Sequence, residues 1–83
     1  VTLLYFAWVR QTIGKSEEAL ALPAGIGDVR GLIAHLRARG PHYAQALGDE
    51  GRLRIAVNQR HAGLDAAIAE ADEVAIFPPI TGG

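Results

Sequence analysis

From residue 1 to residue 9 almost every position is apolar, on both faces of an extended chain. Val1, Leu3, Tyr5, Ala7 and Val9 hold the odd positions, and Leu4, Phe6 and Trp8 follow Thr2 on the even ones. β-branched and aromatic residues favour a strand, and a strand apolar on both sides belongs inside a sheet covered on each face. The pattern predicts one strand over residues 1–9, then a single helical turn over 10–13 closed by Gly14. Residues 17–22 read as a weaker strand stopped by Pro23, and 24–27 as loop.

The period changes after Asp28. Val29, Leu32, Ile33 and Leu36 recur at i, i+3, i+4 and i+7, one stripe of an amphipathic helix. Asp28 is placed to cap it, its carboxylate accepting from free backbone N–H groups. Gly40-Pro41 is a stop signal. A shorter helix is expected over 42–47 and a turn over 48–51. Strict alternation returns with Leu53, Ile55 and Val57, which predicts a half-buried strand over 52–58. A turn at 58–60 and a brief strand over 61–64 follow. The last strand covers 73–77, with Val74 and Ile76 facing one way. One main helix packed across one mixed sheet is the α+β arrangement these elements favour. Its far sheet face is then uncovered, carrying Leu4, Phe6 and Trp8 with Phe77, and an apolar patch of that kind marks a partner surface.

Composition narrows the chemistry. Eighty-three residues make one small domain. Cysteine is absent, which removes disulfides, thiolate metal sites and a Cys nucleophile. The formal net charge is −1, so no basic field argues for nucleic acid. The apolar start is too short for a bilayer-spanning helix, which takes about 20 residues, and membrane association is not expected. His35, His42 and His61 match no common zinc spacing, and no metal site is expected. Gly25-Ile26-Gly27 precedes a helix, but the phosphate-binding pattern is incomplete and Asp28 would repel phosphate. No Ser/His/Asp set or cofactor loop can be assembled.

The ending carries the strongest signal. Phe77 is followed by Pro78-Pro79-Ile80-Thr81-Gly82-Gly83. The prolines lack an N–H and fix φ near −65°, so they end the sheet and stiffen the exit. Two glycines leave a terminus without Cβ atoms, thin enough for a narrow active site. Extended, residues 77–83 reach roughly 20 Å at about 3.3 Å per residue. This divides the chain into a body, 1–77, and a tail, 78–83. A free carboxylate becomes an electrophile once adenylated by ATP. Sulfur then gives a thiocarboxylate, or an amine gives an amide. Arg10 is a candidate for pairing with an acid on a partner.

In this form the chain resembles the small subunits of molybdopterin synthases, sulfur carriers of the ubiquitin-like β-grasp type. The match rests on residues 72–83, Asp-Glu-Val-Ala-Ile-Phe-Pro-Pro-Ile-Thr-Gly-Gly, supported by Phe6-Ala7-Trp8-Val9-Arg10 and Ala56-Val57-Asn58-Gln59. The resemblance implies that an E1-like enzyme adenylates Gly83 with ATP and that a sulfurtransferase-type donor leaves a thiocarboxylate there. It implies that Pro78, Pro79, Ile80, Thr81 and Gly82 enter a pocket of the large synthase subunit, where sulfur passes to cyclic pyranopterin monophosphate. The family assembles as two small and two large subunits, in the cytoplasm, with no cofactor held permanently by the carrier. Phe6, Arg10 and Phe77 match partner-facing positions; Trp8 stands where relatives often carry a polar residue. Three other readings stay open: a thiazole-forming carrier, a ubiquitin-type modifier with only Lys15 for self-conjugation, and an interaction module with an incidental tail.

Overall fold

The computed structural model describes residues 1–79. β1 (Thr2–Tyr5) leads into α1 (Ala7–Ile13), then β2 (Glu17–Ala19), α2 (Val29–Arg37) and α3 (Pro41–Leu47). A 3-10 turn (Glu50–Arg52) precedes β3 (Arg54–Val57), β4 (Arg60–Ala62) and β5 (Glu73–Phe77). The strands form one sheet in the order β2-β1-β5-β3-β4. β1 and β5 are parallel neighbours at its centre, and the other pairings are antiparallel.

The odd residues of β1 and the even residues of β5 build the core. Leu3 and Tyr5 join Val74 and Ile76 on the covered face, with Ile55 from β3. Onto them α2 lays Val29, Leu32, Ile33 and Leu36, all fully buried, the stripe that the sequence periodicity marks. Burying each of these side chains contributes about 1.5–3 kcal/mol. The Asp28 carboxylate accepts from the Gly31 N–H at 2.8 Å, as a helix cap does. The next orphan donors are met from the loop before β5: the Val29 N–H donates to the Ala66 carbonyl and the Arg30 N–H to that of Leu64.

The opening segment departs from the predicted nine-residue strand. β1 stops at Tyr5, Phe6 is the last extended residue, and Ala7 turns the chain with φ at +54°. The helix then buries Val9 and Ile13, an i, i+4 pair. A strand could place only one of Val9 and Trp8 toward the core; the helix lets Val9 bury fully while Trp8 packs against the core's edge. Uniform apolarity hid this change of period from the sequence. The helical turn expected at 10–13 is therefore the second half of α1, ended by Gly14 at φ +94° as expected. The layer covering the sheet thus holds α1 beside the main helix α2 and the expected short helix α3. β2 is shorter than the predicted strand, and the turn at 48–51 becomes the 3-10 turn.

The β3–β4 hairpin has a two-residue loop, Asn58-Gln59, with both φ values positive, at 51° and 69°. Val57 pairs with Arg60 across it. This is the twist-matched geometry favoured in tight hairpins.

Candidate functional site

β5 sets the base of the tail. Its alternation sends Val74 and Ile76 inward and leaves Glu73, Ala75 and Phe77 on the open face. Register fixes what lies beside them. Leu4, Ala75, Ala56 and His61 form one row across four strands, and Arg54 sits opposite Phe77. The His61 and Phe77 rings meet edge to face, with centroids 5.9 Å apart. The Phe6 N–H donates to the Ile76 carbonyl at 3.2 Å, so Phe6 flanks the end of β5. Its extended backbone continues the alternation of β1, so it shares the open face with Leu4. At 46% exposure it is the one large hydrophobic residue left exposed among those described. Pro78 and Pro79 follow Phe77, both half-buried and outside the ladder. Ile80, Thr81, Gly82 and Gly83 lie outside the described residues.

Leu4, Phe6 and Phe77 are thus together on the open face, as the alternation implies. Trp8 is not with them. It lies on α1, on the helix side, with the Arg52 guanidinium 5.0 Å from its ring centroid. The reason is the turn at Ala7, which converts the even-face position into a helix position. Arg10 is exposed one helical turn after Phe6, its N–H donating to the Phe6 carbonyl. The register adds Arg54 and His61 to this face, beyond the residues named from the sequence. The alternation opposite Leu53 and Ile55 already puts Arg54 on the open face; placing His61 there needs the two-residue hairpin.

Below the face, the start of β5 is clipped in place. Asn58 donates from Nδ2 to Asp72 Oδ1 at 3.0 Å, and the Glu73 N–H donates to Asn58 Oδ1 at 3.0 Å. The Ala69 N–H donates to the second Asp72 oxygen at 2.8 Å. The hydrogen bond from Asn58, then that from Ala69, holds the Asp72 carboxyl below its ordinary pKa.

A second polar cluster sits at the opposite edge. The Glu18 carboxylate accepts from the Tyr5 hydroxyl at 2.8 Å, the Tyr43 hydroxyl at 2.6 Å and Arg39 Nη1 at 2.9 Å. Lys15 Nζ lies 3.7 Å away. Burial works against the Glu18 charge, but hydrogen bonds from Tyr43, Tyr5 and Arg39 outweigh it and hold its pKa below the usual carboxylate value. Burial, then the bond to Glu18, pushes the Tyr5 hydroxyl far above the usual tyrosine range. Each partner's ordinary charge state suits the other, so this cluster fastens β2 to the helices and has no proton to exchange near neutrality.

The comparisons with known proteins agree with this geometry. The ThiS family model matches residues 3–83. The molybdopterin synthase sulfur carrier subunit of Escherichia coli (strain K12) is 40% identical, over 100% of this chain and 99% of its own. A solved structure named as molybdopterin converting factor, subunit 1, from Pyrococcus furiosus superposes with TM-score 0.69. It is 31% identical, over 95% of each chain. The small archaeal modifier protein 1 (SAMP1) of Methanosarcina acetivorans superposes with TM-score 0.71 at 26% identity, covering 99% of this chain and 94% of that one. The mixed five-stranded sheet with its helices on one face is the β-grasp fold of these ubiquitin-like proteins.

Proposed function

The chain belongs to the ThiS family, and on that premise we propose that the carboxylate of Gly83 is its working group. It is a sulfur carrier of molybdenum cofactor biosynthesis, the small subunit of a molybdopterin synthase. The observation that carries the chemistry is the course of β5. The central strand of the sheet runs directly into Pro78-Pro79, and the sequence ends four residues later in Gly82-Gly83. A base held on both sides gives the terminus a fixed point of departure.

The reaction sequence follows from carboxylate chemistry. The Gly83 carboxylate attacks the α-phosphate of ATP on an E1-like enzyme, releasing pyrophosphate and leaving an acyl-adenylate. The persulfide of a sulfurtransferase-type donor then displaces AMP to give an acyl disulfide, and attack by a protein thiol on its outer sulfur releases the terminus as a thiocarboxylate and leaves a disulfide behind. Residues 78–82 enter the large synthase subunit, where the sulfur passes to cyclic pyranopterin monophosphate and the carboxylate is restored. The catalytic side chains of that transfer belong to the large subunit, in an assembly of two small and two large chains. The carrier keeps no cofactor, since ATP is spent on the activating enzyme, and the work is cytoplasmic. Leu4, Phe6 and Phe77 are the apolar centre of the partner surface, with Arg10 at its rim. Trp8, on α1 beside Arg52, stands apart from the open-face patch of Leu4, Phe6 and Phe77.

The test is intact-protein mass after incubation with the activating enzyme, ATP and a sulfur donor. One oxygen exchanged for sulfur, mapped to Gly83, is expected, and adding the large subunit and pterin precursor returns the original mass. No exchange, with an activating enzyme competent on another carrier, overturns the reading.

The likeness to a small archaeal modifier favours a second use, conjugation of Gly83 to lysines of other proteins. It is distinguished by recovery, after trypsin, of residues 61–83 attached through Gly83 to lysine side chains of other proteins when the activating enzyme is present.

A further inference from the structure

The charges around the tail's base are not balanced within the chain. Among the described residues, Lys15 and Arg39 pair with Glu18, Arg30 with Glu50 and Asp65, and Arg37 with Glu50. Arg10, Arg52, Arg54 and Arg60 enter no ion pair among those residues, Arg52 lying instead over the Trp8 ring. Two of these stand at the end of the sheet from which the tail departs. Arg54 is the cross-strand partner of Phe77, and Arg10 follows Phe6 by one helical turn. Arg54 is exposed, and its guanidinium reaches only backbone carbonyls, those of Leu53 at 2.9 Å and Gly51 at 3.4 Å. His61, also exposed, lies against the edge of Phe77. The acids of β5 and its approach, Asp72 and Glu73, sit at the other end of the strand, tied to Asn58. On the β3–β4 side, where Phe77 leads into the tail, the apolar centre of the open face is therefore bordered by unneutralised donors, while Glu17 flanks Leu4 on the β2 side.

We propose that Arg54 and His61 are specificity-determining residues of the partner surface, receiving carboxylate side chains at the mouth of the cleft in the large synthase subunit that accepts the tail. The inference rests on the carrier reading and adds to it the chemistry of the partner's rim. Burying Phe77 against a neutral or basic rim would strand the Arg54 guanidinium beside it, whereas an acidic rim neutralises it and orients the tail toward the cleft. Exposed charges at an interface border act mostly on association rate and on salt dependence, and salt screens them over about 10 Å at 0.1 M.

The experiment measures association of the full chain with the large subunit of the same organism, at low and high salt. Arg54→Glu should slow association and weaken affinity about tenfold at low salt, and high salt should narrow the gap. His61→Leu should weaken binding by a smaller factor. Arg60→Glu, on β4 in the row of Val57 and Val74, should bind as the native chain does. Arg54→Leu, which keeps a strand-compatible side chain, repeats the test should the charge reversal unfold the protein. Native affinity and salt response in Arg54→Glu or Arg54→Leu, with binding still lost in Phe77→Ala, overturns the proposal and leaves the carrier reading intact. Failure of the native chain to bind the large subunit or to gain sulfur at Gly83 overturns both.

Discussion

Glu18 shows how much one side chain decides. Its carboxylate is the acceptor for a tyrosine hydroxyl at the edge of the core and for two partners from the helical layer. Replacing it with alanine leaves the Tyr5 hydroxyl without its acceptor, on a residue 1% exposed. Stranding a buried polar group costs about 1–3 kcal/mol, so Glu18→Ala should lower the free energy of unfolding by about that amount in urea titrations. The pH dependence follows from the directions of the shifts. Glu18 has a lower pKa folded than unfolded, so its contribution is present above the unfolded carboxylate value of about 4.3. It is lost as pH falls through the folded value. Tyr5 runs the other way: its folded pKa is raised, so its contribution is present below the unfolded value of about 10 and fades as pH rises beyond it. Stability measured against pH should fall at both ends, and Glu18→Gln should blunt the acid limb. Tyrosinate absorbance should show Tyr5 resisting ionisation until the chain unfolds.

At the scale of elements, the sequence was most legible where one period held. The α2 stripe and its Asp28 cap, the alternation of β3 and of β5, and the Gly40-Pro41 break all read directly. Residues 1–9 did not, because a run apolar at every position satisfies a period of 2 and a period of 3.6 alike. The deciding event, a left-handed Ala7, has no signature in a residue type that ordinarily avoids that region. The same error displaced Trp8 from α1 to the open face. Trp8→Ala should therefore destabilise the fold by about 2–3 kcal/mol, through lost burial and the lost Arg52 contact. Its affinity for the large subunit should stay within about twofold of native. A second prediction sits in the β3–β4 loop. Gln59 holds φ at 69° where glycine is favoured, so Gln59→Gly should raise stability by about 0.5–1 kcal/mol in thermal or urea unfolding.

For the whole molecule, body and terminus should separate cleanly. Deleting Gly82-Gly83 removes nothing from the core or the ladders of residues 1–79. The shortened chain should melt as the native one does and gain no sulfur, as calorimetry beside intact mass would show. Phe77→Ala should weaken binding to the large subunit about tenfold or more, as loss of an aromatic anchor does, while Val74 and Ile76 hold the strand in place.

The parallel pairing of β1 with β5 has a consequence for how the protein comes into being. β1 finds its inner neighbour only in β5, the last of the five strands, and closing so long a loop is slow because its entropy is spent before the contacts form. Until residues 73–77 emerge, β1 has only the short edge strand β2 beside it, and Arg54–Val57 lacks its inner neighbour. A chain cut short before β5 is thus denied its tertiary structure as well as its reactive end. The finished fold therefore certifies translation through Phe77, the base from which the tail departs, and leaves only the last six residues outside that check.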